Sequence, residues 1–153
     1  MSRAVDHDRR RVLAGLALAT TFSILSPFAR SAGIDYPFTL GVASGDPLPD
    51  GFVIWTRLAP LFNAADGRGG LARAVPVRWR VASDAAMMRI VRQGEVMASE
   101  RFAHSVHVEV AGLEAGRPYW YQFEGLGAQS AVGQSRTAPA LHAMATARLG
   151  FVS

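Results

Sequence analysis

From Tyr36 to Arg136 the chain carries short, alternating apolar runs broken by Gly, Pro and Asp, and no long stretch with the 3.6-residue period of a helix. That pattern predicts an all-β domain. Leu40 to Ser44 is the first run and Gly51 to Leu58 the second. In the second, Phe52, Ile54 and Leu58 share one face while Val53 and Trp55 share the other, so both faces carry apolar weight and the run reads as a central strand. Val77-Arg78-Trp79-Arg80-Val81 alternates more cleanly, with its two arginines toward water. Further runs at Met88 to Val91, Ser105 to Val110, Tyr119 to Phe123 and Ala131 to Arg136 bring the total to about seven strands, the number and spacing of a two-sheet sandwich.

The segment Leu113-Glu114-Ala115-Gly116-Arg117-Pro118-Tyr119-Trp120-Tyr121 resembles the corner before the sixth strand of fibronectin type III domains, where a Leu, a Gly-containing turn and a Tyr pack together. An ordinary hairpin with an aromatic strand is the other account. On either, Tyr119, Tyr121 and Phe123 share a face and belong to the core, while Trp120 lies opposite with Gln122 and Glu124. Asp66 to Gly70 reads as an exposed loop, and Asp84 to Met88 as a single helical turn.

Half of the residues are apolar, enough for a real core, and the formal charge is +4. Most of that charge sits in residues 1–32, where five Arg face two Asp and leave +3; the remainder, with 11 Arg against 10 acidic residues, is close to neutral. A nearly neutral body lacks the clustered basic face that a nucleic acid requires, so no nucleic-acid partner is expected. Lys and Cys are both absent, which excludes Lys-based nucleophiles, disulfides and thiolate metal sites within these residues.

Asp8-Arg9-Arg10-Arg11-Val12-Leu13 precedes an apolar run that ends at Leu25 and is followed by helix-breaking and small residues. This resembles a twin-arginine secretion signal: Arg9 and Arg10 form the pair, and Val12-Leu13 fill the two apolar positions. The run is shorter than the roughly 20 residues that cross a bilayer, so a cleavable leader over 1–32 is expected rather than a permanent membrane span. Ala29 and Ala32 are both small enough to precede the cut. The twin-arginine translocase is then a partner, and the destination is periplasmic or secreted.

Candidate chemistry is sparse. Asp46 and Asp50, with Gly45, Pro47 and Gly51, lie four apart in Ser44-Gly45-Asp46-Pro47-Leu48-Pro49-Asp50-Gly51 and could hold calcium through oxygen ligands. Structural turn chemistry is the stronger account, with the carboxylates bonding backbone N–H groups and the glycines permitting unusual dihedrals. Gly41-Val42-Ala43-Ser44-Gly45 fails as a nucleophile elbow, because Val42 stands where glycine is needed and no helix follows. His104 and His107 have a spacing that serves a metal on a helix, but on a strand their rings point to opposite faces. His107 and Glu109 share the outer face as a weak candidate pair. Trp120 faces away from Tyr119 and Tyr121, so the three rings make no stacking platform. No catalytic constellation can be assembled from these residues.

The run FTLGVASGDPLPDGFVIWTRLAP, from Phe38 to Pro60, resembles the opening of the N-terminal domain of the alkaline phosphatase D (PhoD-like) family. So do Arg136-Thr137-Ala138-Pro139 and the later Arg148-Leu149-Gly150-Phe151-Val152-Ser153. The resemblance covers Phe38 to Ser153. It implies a leader over 1–32, a β-sandwich over 33–139, and over 140–153 a linker with the first strand of a metallophosphoesterase domain. Catalysis in that family would use bound metal, commonly iron and calcium, to polarise a phosphoryl oxygen and activate an attacking oxygen. A metal-binding Cys would follow one residue after Ser153. No cofactor is therefore expected in this chain, and its own catalytic domain is an expected partner. A free-standing secreted fibronectin type III-like binding module is the alternative, and purple acid phosphatases, which carry a related sandwich, are the nearest enzymatic rival.

Overall fold

A computed structural model describes residues 35–143. The candidate leader, with Arg9, Arg10, Val12, Leu13, Ala29 and Ala32, and the final run from Arg148 to Ser153 lie outside the described residues. Eight strands form: β1 (Val42–Leu48), β2 (Gly51–Arg57), β3 (Val75–Ala82), β4 (Ile90–Ala98), β5 (Ser105–Val110), β6 (Pro118–Gly125), β7 (Ala128–Gln129) and β8 (Gly133–Arg136). A 3-10 turn, Glu100–Phe102, joins β4 to β5. One sheet has the order β1-β2-β5; the other runs β4-β3-β6, with β7 and β8 on successive stretches of the far edge of β6. All pairings are antiparallel. This is the strand arrangement of fibronectin type III domains, so the all-β sandwich is what the chain forms.

The alternation in β2 dictates its place. Phe52, Ile54 and Thr56 are buried, while Val53 and Trp55 on the opposite face remain half-buried. From the facing sheet, Val77 and Val81 of β3 and Tyr119, Tyr121 and Phe123 of β6 complete the core. Phe52 meets Tyr119 and Tyr121 with ring centroids at 6.2 and 6.5 Å, and Tyr121 meets Phe123 edge-on at 6.2 Å. Each such side chain contributes about 1.5–3 kcal/mol through burial, and rings in these tilted arrangements add to that.

The corner before β6 takes the expected form. Glu114 N–H donates to the Tyr119 hydroxyl at 3.0 Å, Leu113 is buried, and Gly116 supplies the positive φ of 68° that the turn needs. The last strand departs from a simple run. Ser130 is buried between β7 and β8, where its N–H donates to Phe123 O and its hydroxyl accepts from Phe123 N–H. One side chain thus completes the ladder across an interruption, which shortens the expected Ala131 to Arg136 strand to β8.

Three further expectations differ. Asp84 to Met88 is a turn without helix, because the Asp84 carboxylate accepts from the N–H groups of Met88 and Arg89 and Met87 adopts a φ of 56°. The Arg89 N–H, chiefly, holds the Asp84 carboxyl below the ordinary Asp range. The Met88 to Val91 run is instead the start of β4, which continues to Ala98. Its alternation is hidden by Gly94, where a Cβ would come within 2.7 Å of the Trp79 ring. Within the Asp66 to Gly70 loop, Gly69 is buried and its carbonyl accepts from Leu61 N–H.

Candidate functional site

The β1–β2 hairpin holds the residues singled out in the sequence. β1 pairs regularly from Val42↔Thr56 to Gly45↔Val53, then slips before Leu48↔Gly51. Asp46, at a φ of 47°, takes up the slip. Gly45, Asp46 and Pro47 are therefore strand residues around a bulge, and the turn itself is only Pro49 and Asp50. Gly51 is required by packing, since a Cβ there would collide with the carbonyl of Val110.

The carboxylates do not act as the turn reading expected. Among the described residues, neither Asp46 nor Asp50 has a side-chain hydrogen bond; the main-chain carbonyl of Asp50 accepts from Leu113 N–H at 2.8 Å and ties the hairpin to the β6 corner. Six of the seven β1 residues are exposed. Val42 and Ser44 point inward, opposite Thr56 and Ile54. Burial pushes the Tyr121 phenol's pKa up, with the neighbouring Ser44 acting the other way.

His104 is not on the strand as expected. It precedes β5 in a left-handed conformation, φ 57°, fully buried, with its Nε2–H donating to Arg73 O at 3.0 Å and its Nδ1 without a partner. His107 is on β5 and exposed, and its ring lies 6.2 Å from that of Trp55. Among the described residues no three His, Cys, Asp or Glu side chains come close enough to hold a metal ion. The described donors therefore do not fit iron or calcium, which the resemblance implies for the phosphoesterase portion and not for this sandwich.

One assembly was missed. Thr137, only 1% exposed, donates through Oγ1 to Glu114 O at 2.7 Å and accepts from Arg117 N–H at 3.0 Å. Arg136 reaches Gly116 O at 2.7 Å, and Ala138 N–H donates to Leu48 O at 3.0 Å. These residues bind the departing chain to both the Tyr corner and the end of β1. The sequence marks Arg136-Thr137-Ala138-Pro139 by its resemblance, but nothing local shows which carbonyls the Thr137 hydroxyl and the Arg136 guanidinium reach.

The family model described as PhoD-like phosphatase, N-terminal domain, matches residues 24–139. The chain belongs to this family. Alkaline phosphatase D of Bacillus subtilis (strain 168) is 45% identical to this PhoD-like domain over 143 residues, which is 87% of this chain and 24% of the relative. A solved structure of PhoD superposes with a TM-score of 0.67 at 52% identity, covering 71% of this chain and 20% of that one. The chain thus spans about a quarter of the length of the curated relative and a fifth of the solved one. A human fibronectin type III domain aligns with a TM-score of 0.47 and 10% identity over 73% of this chain and 82% of its own, and adds nothing to the strand order described above.

Proposed function

We propose that this chain is the exported, non-catalytic N-terminal portion of an alkaline phosphatase D-type phosphomonoesterase or phosphodiesterase. The observation that carries it is the 45% identity to alkaline phosphatase D confined to 24% of that enzyme. The role fits a sandwich in which three titratable groups serve the fold: His104 bonds Arg73 O, Asp84 its own turn and Tyr119 the corner. Metal ligands and the attacking group belong, on this reading, to the phosphoesterase portion, which is the domain's partner. The purified chain should show no turnover of phosphomonoesters or phosphodiesters with added iron and calcium; measurable hydrolysis by a homogeneous preparation overturns the reading.

Export follows from Arg9-Arg10 at the head of a short apolar run, with the twin-arginine translocase as carrier and a periplasmic or secreted destination. No helix among the described residues is long and apolar enough to cross a membrane. Replacing both residues together (Arg9→Lys, Arg10→Lys) should retain a fused reporter inside the cell. Undiminished delivery of that variant would count against this route.

A further inference from the structure

We propose that the outer face of the β1-β2-β5 sheet, centred on Val53 and Trp55 and bordered by Ala43 and Gly45, is the seat of the phosphoesterase portion that follows this domain in PhoD-like phosphatases. The inference rests on the reading given above and adds which face the partner covers.

A two-layer sandwich needs apolar residues on only one face of each strand, yet β2 carries Val53 and Trp55 on the face that has no second layer. Register places Ala43 opposite Trp55 and Gly45 opposite Val53, so the edge strand covers little of the half-buried apolar centre, which β5 flanks with His107 and Glu109. Gly45 has no internal explanation. Its φ is not positive, and a Cβ built there meets nothing within 4 Å, so neither backbone conformation nor packing inside the domain calls for glycine. A glycine that neither demand explains fits a backbone approaching closely from outside. The apolar surface continues over the β5 edge, where Trp55, Met97, Phe102 and His107 help line a groove of about 550 Å³.

The occupant follows from the chain's own path. The domain is N-terminal in its family and accounts for 24% of the curated relative, so the remaining length lies beyond it. The described chain leaves beside β1, where Ala138 N–H is bonded to Leu48 O. Leu48, 59% exposed, marks the same corner. A domain continuing from this point starts at the border of the uncovered sheet. Contacts between domains of one chain commonly bury about 600–1,500 Å², a demand that one sheet face with its groove can meet.

The test joins the 153-residue chain to the Bacillus subtilis alkaline phosphatase D in place of that enzyme's own N-terminal quarter. Gly45→Arg places a long cation where nothing inside the domain is disturbed, and Gln93→Arg places one on the exposed outer face of the opposite sheet. Alone, the 153-residue chain should melt within about 2 °C of the parent with either substitution, as surface changes do. In the fusion, Gly45→Arg should raise deuterium uptake across β1 and β2 and lower the temperature of thermal inactivation by at least about 5 °C, more than twice the surface-change limit; Gln93→Arg should do neither. A fusion indifferent to Gly45→Arg, or damaged by Gln93→Arg instead, overturns the proposed face. A dimer of the isolated chain that Gly45→Arg dissociates also overturns it, by making a second copy the occupant. An inactive fusion with the unsubstituted domain, beside an active intact enzyme, overturns the underlying functional reading.

Discussion

The outer faces of the two sheets are built on opposite terms. On the β4-β3-β6 side, Arg78 lies between Glu95 at 3.6 Å and Glu124 at 3.5 Å, and Arg80 donates to Gln122 at 3.2 Å. The central charges of that side are paired within the sheet. On the β1-β2-β5 side, Val53 and Trp55 lie between the small Ala43 and Gly45 of β1 and the Glu109 and His107 of β5, and among the described residues no ion pair crosses the face. One face sets charge against charge, and the other centres on apolar side chains, the contrast between an ordinary wet sheet surface and one with apolar weight to spare.

Two strand glycines test that contrast most strongly. Gly94 exists because Trp79 lies over it, whereas Gly45 faces open space. Gly94→Val should overpack the edge of the polar-faced sheet and cost about 1–3 kcal/mol, or about 4–8 °C of melting temperature per kcal/mol. Gly45→Val, at an unstrained strand position, should leave the isolated chain unchanged or slightly more stable. Equal losses at the two sites in thermal denaturation would erase the distinction.

A smaller effect, confined to alkaline solution, asks whether β1 still seals the interior despite its exposed outer side. Burial holds the Tyr121 phenol above its ordinary pKa of about 10, with Ser44 nearby. The unfolded chain therefore loses this proton first. The stabilisation is complete below the unfolded value and declines as pH rises through the folded one. Tyr121→Phe should flatten the alkaline arm of a stability profile, and an unaltered arm would mean that β1 leaves the phenol solvated.

Smallest of all is Arg78→Ala. Both ion pairs are solvent-exposed, the Arg78 side chain at 68%, so the loss should stay below about 0.5 kcal/mol and vanish at high salt. A cost that persists in high salt would show the polar face to be structural rather than solvating.

Most of the fold was legible because period-2 alternation records burial directly. β5 ran from Ser105 to Val110 as expected, β2 was central, and Tyr119, Tyr121 and Phe123 were core. What was hidden depended on single residues acting across the chain. The fourth run stops at Val91, short of β4, because the role of Gly94 is written in Trp79, and the last run starts at Ala131 because nothing local shows that the Ser130 hydroxyl replaces a rung of the ladder. The hairpin was only half readable. Pro and Gly composition announces a reversal, but not that the reversal needs two residues and that Asp46 is a bulge. His104 was placed on the strand because nothing local shows that it is held by Arg73 O, 31 residues away.

The clamp that holds Thr137 and Ala138 would also fix where the proposed phosphoesterase neighbour begins its search. A short tether gives an effective concentration on the order of millimolar, so an interface with a dissociation constant near 0.1 mM would stay closed roughly nine-tenths of the time. The uncovered sheet therefore has no need to bind tightly. On the proposed arrangement, a modest apolar face would be enough to hold a tethered neighbour in one orientation.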